Sequence, residues 1–340
     1  MTKLFITGGA GFIGSAFVHM ALTEDPAAKI VNFDALTYAG NLDNLEGLDP
    51  ARHQLVHGDI TDRKAVLVAL AGADAIINFA AESHVDRSIL SAAEFIRTNA
   101  LGTQILLDAA RELGVKRFLQ VSTDEVMGSL PIDEEAFFTE DSPFEPNSPY
   151  AASKAAAEHL VRAAHHTFGL DTVVTRCGNN YGPRQFPEKF LPLLISNALN
   201  DEPIPVYGDG LNMRDWIYVD DHCRAILRAL EKGRTGAVYN IGARNEKRNI
   251  DMAKSVLDVL GKPHALIRFV KDRPGHDRRY AIDPSLVESE LGWSPRETWE
   301  SGLRKAIEWY KANAAWLERV RSGAYREYYA LQYGTPVGAA

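Results

Sequence analysis

The chain has 340 residues, enough for one large core or for a core with a second lobe. Hydrophobic residues make up 46% and charged residues 24%, the balance of a folded globular chain, which excludes general disorder. No apolar run reaches the ~18 residues of a membrane helix, and Lys+Arg 37 against Asp+Glu 45 gives a net charge of −8 with no basic tract, which argues against nucleic acid or an anionic membrane as the main partner.

The amino-terminal MTKLFITGG carries no small-residue cleavage site, so no secretory signal is expected. Lys3–Thr7 predicts a first strand and Phe12–Leu22 a helix, followed by strands at Lys29–Asp34 and Gln54–His57 and a helix over Asp62–Leu70 opened by its aspartate. Ala73–Asn78 and Arg117–Ser122 are further strands, separated by one long helix over Ile89–Leu113. This alternation predicts an α/β fold, a mostly parallel, doubly wound sheet covered on both faces. Prolines 143, 146 and 149 precede a helix over Tyr150–Phe168, and Leu170–Thr175 is another strand. A proline-punctuated stretch follows and reads as part of a smaller α/β substrate-binding lobe. Val238–Ile241 is expected to return to the main sheet, and Ile250–Leu260 and Trp299–Leu317 to form surface helices. The expected division is therefore 1–178 plus about 216–242 for the sheet domain, about 179–215 plus 243–333 for the second lobe, and 334–340 as a frayed tail. Cys177 and Cys223 stand far apart without a CxxC, and the ten histidines show no metal spacing. We expect no disulfide, no metal and a reducing, cytoplasmic setting.

Thr7–Gly14 reads TGGAGFIG between the first strand and the first helix. Gly9, Gly11 and Gly14 satisfy G-x-G-x-x-G, and Gly8, Gly11 and Gly14 satisfy G-x-x-G-x-x-G. Such a turn lets backbone approach a pyrophosphate while the helix N-terminus, at Phe12 and Ile13, supplies N–H donors. Asp34 lies twenty residues beyond Gly14 at the end of the second strand, where a carboxylate holds ribose hydroxyls and repels a 2′-phosphate. The cofactor expectation is NAD on a Rossmann-type sheet. Asp59, in HGDI, is placed either to reach the adenine or to cap a turn.

Tyr150 and Lys154 share a helix face at i, i+4. A neighbouring ammonium and a nicotinamide cation favour the phenolate, which makes the tyrosine a candidate base. Ser122 and Thr123 end a strand at the carboxyl edge of the sheet, where ligands of open α/β sheets bind.

These motifs together resemble the extended short-chain dehydrogenase/reductase family. DALTYAGN from Asp34, FAAESHVDRS from Phe79, STDEV from Ser122, NNYG from Asn179, FPEK from Phe186, YGDGLNMRDWIYVDD from Tyr207 and RPGHDRRYAID from Arg273 narrow the resemblance to its dTDP-glucose 4,6-dehydratases, over residues 3–333. The resemblance implies NAD-dependent oxidation at C4 of dTDP-glucose, loss of water across C5 and C6, and return of the hydride to C6. It assigns Tyr150 as the base at O4, Lys154 as its tuner, Thr123 as a second contact to O4, Asp124 as the acid at the C6 oxygen and Glu125 as the base at C5. It places Ile60 and Ala80 beside the cofactor, and Ser83, Asn179, Glu188, Lys189, Arg214, Asn240 and Arg279 on the nucleotide sugar. It also implies a homodimer, through helices bearing Ile105, Leu106, Leu160 and Val161. Met127 replaces the tyrosine usual after STDEV, and Gly178 and Arg184 also depart from the common pattern. A related 4-epimerase, another dehydratase or decarboxylase, or a cofactor-binding regulator without activity are the alternatives. An epimerase has no need of Asp124 and Glu125, and a dead scaffold would typically lose Tyr150 or Lys154.

Overall fold

Residues 3–322 are described by the computed structural model; the expected tail at 334–340 lies outside the described residues. In chain order the strands are β1 (Lys3–Thr7), β2 (Lys29–Asp34), β3 (His53–His57), β4 (Ala75–Asn78), β5 (Arg117–Thr123), β6 (Thr172–Cys177), β7 (Asn179–Tyr181), β8 (Ile204–Tyr207), β9 (Met213–Tyr218), β10 (Val238–Ile241), β11 (Glu246–Arg248) and β12 (Ile267–Val270). Seven of them form one parallel sheet in the order β10-β6-β5-β4-β1-β2-β3.

Side chains of a strand alternate between faces, and in a sheet covered on both sides each set must be apolar. Leu4 and Ile6 of β1, Ala75 and Ile77 of β4 and Leu119 of β5 enter the core shared with helices Phe12–Glu24 and Val219–Lys232. Phe5, Ile76 and Phe118, one residue out of phase, enter the opposite core under helices Arg63–Leu70, Thr103–Glu112 and Pro149–Phe168. Asp62 opens the first of these by accepting from the N–H groups of Lys64 at 3.0 Å and Ala65 at 3.1 Å.

The long helix expected over Ile89–Leu113 is broken. The chain runs as Val85–Leu90, turns at Ser91, resumes at Ala92–Phe95 and widens into a π-helical segment over Ile96–Gly102 before Thr103–Glu112. Distant polar partners accompany the π-helical segment. Buried Asn99 donates to the Glu82 carbonyl at 2.9 Å and to Ser153 Oγ at 2.8 Å, and accepts from the Glu82 N–H at 2.9 Å. A π-turn supplies the offset that satisfies all three and brings Thr98 to the main cleft. The helix expected over Trp299–Leu317 is likewise two, Trp299–Ala312 and Ala314–Arg321.

The second lobe holds a three-stranded sheet, β11-β9-β7, and a parallel pair, β12-β8. Its core gathers Tyr181, Trp216, Tyr218, Trp299, Tyr310 and Trp316 around Leu194 and Val206. The division of the chain differs in detail from the expected one. Trp216–Tyr218 belong to β9 in the small sheet, whereas Val287, Leu291 and Trp293 pack into the main-sheet core. The lobes are tied at the glycine turn: Trp316 Nε1 donates to Asn44 Oδ1 at 3.1 Å, and Asn44 Nδ2 donates to the Ala10 carbonyl at 2.9 Å. No helix among the described residues is long and apolar enough to cross a membrane.

Candidate active site

The carboxyl ends of β1, β2, β4, β5 and β6 open onto a cleft with a cavity volume of about 320 Å³, closed on its far side by residues 185–189. At one end lies the glycine turn. Gly8 has φ +70°, and a Cβ there would stand 2.7 Å from Ala80 N. A Cβ on Gly14 would fall 2.2 Å from the Gly8 carbonyl oxygen. Helix Phe12–Glu24 starts at Gly11 with no side-chain cap, which leaves its first turn facing the cleft at Phe12, Ile13 and Gly14. Asp34 ends β2 and is fixed by the N–H groups of Ala10 and Leu36, both at 2.8 Å. Burial raises its carboxyl against those two bonds. Asp59 is exposed at the rim, holding its own turn through Thr61, while Ile60 and Ala80 form apolar wall. Shape, the uncapped helix start and the carboxylate of Asp34 fit a dinucleotide whose ribose at Asp34 carries no 2′-phosphate.

At the other end, β5 delivers Ser122 and Thr123, and the chain tightens into a 3₁₀ turn over Asp124–Met127. Thr123 caps that turn by accepting from the Glu125 N–H at 3.3 Å. Tyr150 and Lys154 face it from helix Pro149–Phe168. That helix begins here because Ser148 Oγ accepts from the Ala151 N–H at 3.1 Å and proline occupies the first position. Lys154 Nζ donates to the Val121 carbonyl at 2.7 Å. Thr123, Asp124, Glu125, Tyr150 and Lys154 thus share one wall.

The electrostatics separate the two acids. Asp124 is 2% exposed; burial, then the Glu125 charge, drive its carboxyl far above the usual range. Glu125 is half-buried; burial raises it too, but Arg273, Arg214 and Lys189 pull the other way. Asp124 is thereby the proton holder and Glu125 the more readily ionised partner. Burial, then Glu125, raise the Tyr150 phenol, so its activation falls to positive charge brought into the cleft. Burial lowers Lys154 to about 8, with Glu158 opposing.

Of the expected sugar-side residues, Ser83, Asn179, Glu188 and Lys189 line the cleft. Glu188 accepts from Arg87 Nε at 3.0 Å and Nη2 at 2.9 Å, and Lys189 Nζ donates to the Ser83 carbonyl at 2.5 Å. Arg214 lies behind the acids, 4.1 Å over the Tyr280 ring, and donates to the Met213 and Asp277 carbonyls. Asn240 and Arg279 do not reach the cleft. Asn240 is fully buried on β10, donating to Glu140 and the Phe138 carbonyl. Arg279 pairs with Glu246 and donates to the Glu134 and Ala136 carbonyls, so every strong donor direction is already spent on the protein.

Sequence reading did not single out Tyr38, Glu82, Asn180 or Gln185, which line the cleft, or Arg273, whose charge acts on Glu125. All but Gln185 lie inside the quoted motif segments, so their place there was the available signal. Cys177 sits on the cleft wall with its thiol pushed up to about 12 by burial, and Cys223 is in the core. His84 is buried against the Glu188 carbonyl at 3.2 Å. No group of three His, Cys, Asp or Glu among the described residues is placed to hold a metal. Gly178 has a steric reason: a Cβ would approach the Asp215 carbonyl oxygen to 2.8 Å. Met127 is buried and lends its sulfur to Arg176 Nη1 at 3.5 Å. Arg184 adopts φ 66°, and nothing in the structure explains why an arginine stands there.

Residues 5–306 match the model of the GDP-mannose 4,6 dehydratase family. The chain is 50% identical to dTDP-glucose 4,6-dehydratase of Xanthomonas campestris pv. campestris (strain B100), over 96% of this chain and 98% of that one. Among solved structures it is similar to the dTDP-glucose 4,6-dehydratase DesIV from Streptomyces venezuelae with NAD and dTDP bound, at TM-score 0.90 and 48% identity, covering 94% of this chain and 99% of that one. It is also similar to dTDP-glucose 4,6-dehydratase from Bacillus anthracis str. Ames in complex with NAD, at TM-score 0.88 and 44% identity, covering 94% and 100%.

Proposed function

The chain belongs to the GDP-mannose 4,6 dehydratase family, and from that premise we infer both its reaction and the part each residue plays in it. It is an NAD-dependent hydro-lyase that converts dTDP-glucose to dTDP-4-dehydro-6-deoxyglucose and water. The observation that carries the assignment of roles is the single wall on which Thr123, Asp124, Glu125, Tyr150 and Lys154 meet, with its two acids held at different readiness to ionise.

Gly8, Gly11, Phe12, Ile13 and Gly14 hold the pyrophosphate of NAD, and Asp34 holds the adenosine ribose. NAD, when bound, supplies the hydride acceptor for C4 and the donor for C6. Tyr150 takes the proton from O4, with Thr123 sharing that hydrogen bond and Lys154 providing the positive charge that makes a phenolate attainable. Once C4 is a ketone the C5 proton is acidic, and Glu125 removes it. Asp124, kept protonated by burial, gives its proton to the departing C6 oxygen. Ser83, Asn179 and Lys189 position the nucleotide sugar, while Arg214, held on the Met213 and Asp277 carbonyls, acts through its charge on the two acids.

Residues of the main sheet form the NAD domain and those around β7, β8, β9, β11 and β12 the nucleotide-sugar lobe. The enzyme works as a homodimer. Leu106 and Val161 belong to the core rather than to a free face, so the support comes from exposed Ile89, Ile96 and Leu101 beside helix Pro149–Phe168. Two buried free thiols favour a cytoplasmic setting. The deciding experiment offers dTDP-glucose, UDP-glucose and UDP-N-acetylglucosamine separately and follows each by mass and by proton NMR of the sugar. Loss of one water from dTDP-glucose alone is the expected result; a mass-neutral change of the UDP sugar would instead identify an epimerase.

A further inference from the structure

Helix Pro149–Phe168 carries a third ionisable residue on the face of Tyr150 and Lys154. Glu158 follows Lys154 by one helical turn and is 3% exposed. Its carboxylate accepts from Arg176 Nε at 3.0 Å, with Arg176 Nη2 2.9 Å from the same oxygen. Arg176, on β6, is 4% exposed and fully engaged: it also donates to the Glu140 carbonyl at 3.2 Å, leans on Met127 Sδ at 3.5 Å and sits 4.8 Å over the Phe144 ring. A pair so deep is a weak source of stability, because desolvation offsets most of its attraction. Something other than folding energy is served by placing it directly beneath Lys154.

We propose that Glu158, clamped by Arg176, is a positioning residue for the reaction: it keeps Lys154 in its ammonium form, with Nζ fixed on the Val121 carbonyl at the cleft wall. This rests on the reading of Lys154 as the tuner of Tyr150. The groups that face Lys154 are few. Glu158 on its own helix and Cys177 on β6 are the charged or titratable groups that act on it, with Arg176 behind Glu158; Tyr150, Thr123 at the end of β5, and Asp124 and Glu125 in the 3₁₀ turn after it share the cleft wall with Lys154. Burial works against the ammonium, Glu158 is the largest opposing influence, and Cys177 adds to it only as a thiolate, which burial suppresses. The Arg176 clamp keeps the Glu158 carboxylate from swinging up to pair with Lys154 directly, which would draw Nζ away from the Val121 carbonyl at the cleft wall.

The test follows Lys154 itself. In NAD-loaded enzyme with ¹³C-labelled lysine, the Lys154 Cε resonance, assigned by its loss in Lys154→Met, is titrated with pH. Glu158→Gln should move the midpoint down by at least one pH unit, and the alkaline limb of the C4-oxidation step should move down with it. Glu158→Asp should restore most of both shifts. If Glu158→Gln does not fold, Glu158→Gln/Arg176→Gln leaves no lone charge, and a smaller fall of the midpoint is expected. An unchanged Lys154 midpoint in whichever variant folds overturns the proposal, even if turnover has dropped. The underlying reading fails separately: Lys154→Met retaining normal C4 oxidation would remove Lys154 from the mechanism whatever its midpoint does.

Discussion

Asp124 Oδ1 accepts a hydrogen bond from Thr123 Oγ1 at 3.3 Å, while Asp124 Oδ2 is buried without a partner. A buried, unpartnered carboxylate oxygen is costly when charged and far less so when it carries a proton. Thr123, the residue proposed to meet O4, thus also orients the carboxyl proposed to release the proton in the later step.

Removing one acid at a time should divide the reaction. Asp124→Asn and Glu125→Gln should both still oxidise C4 and then stall, seen as accumulating near-ultraviolet absorbance of reduced cofactor. Each should slow water loss ~10²–10⁴-fold, and Glu125→Gln alone should also abolish deuterium exchange at C5. The pH signs are opposite. Glu125 works ionised, and its carboxyl is raised, so elimination declines as pH falls through a value above the usual carboxylate range. Asp124 works protonated, so elimination declines as pH rises through its own raised value. Normal turnover by either variant would refute these roles.

Tyr150→Phe and Lys154→Ala should block the first step. No reduced cofactor should form on mixing with dTDP-glucose, and turnover should fall ~10²–10⁴-fold for loss of the base. The measurement is rapid-mixing absorbance on enzyme shown to contain NAD. Wild-type-like oxidation by Tyr150→Phe would refute its assignment.

Gly14→Ala should yield protein that folds but purifies with little cofactor. The added methyl meets the Gly8 carbonyl at 2.2 Å, a backbone atom that can move only by reshaping the turn. Cofactor released on acid denaturation gives the NAD content directly. Full occupancy in this variant would show that pyrophosphate lies elsewhere.

Arg279→Ala should act on stability and not on substrate affinity. It leaves Glu246 unpaired and frees the carbonyls of Glu134 and Ala136, a loss of about 1–3 kcal/mol on the scale of broken hydrogen-bonded groups. Thermal unfolding should show the drop while KM for dTDP-glucose stays near wild type. A large rise in KM at unchanged stability would return Arg279 to the nucleotide sugar.

The strands were legible because burial on both faces forces uninterrupted apolar runs such as KLFIT and KIVNFD, and the glycine turn because backbone contact with a pyrophosphate restricts the residue type. The break near Ser91 and the π-turn were not legible. The π-turn answers to Asn99, Glu82 and Ser153, and bonds spanning 17 and 54 positions leave no local pattern. Arg279 and Asn240 misled for a related reason: a polar side chain that saturates buried carbonyls has the same letter as one that binds phosphate. Glu158 was hidden in plain spacing, a charge one turn past Lys154, where helices usually show solvated surface.

β10 is the edge strand of the main sheet beside β6, although the chain between them builds much of the second lobe. On the ribosome, then, the first 178 residues emerge as an unfinished sheet whose outer strand exposes unpaired backbone until residue 241 has been made. The nascent chain must carry β6 unpaired on that side through synthesis of β7, β8 and β9, so the main sheet is completed only after much of the second lobe has been made. A stop or proteolytic cut in between should leave an aggregation-prone fragment rather than a smaller NAD-binding protein.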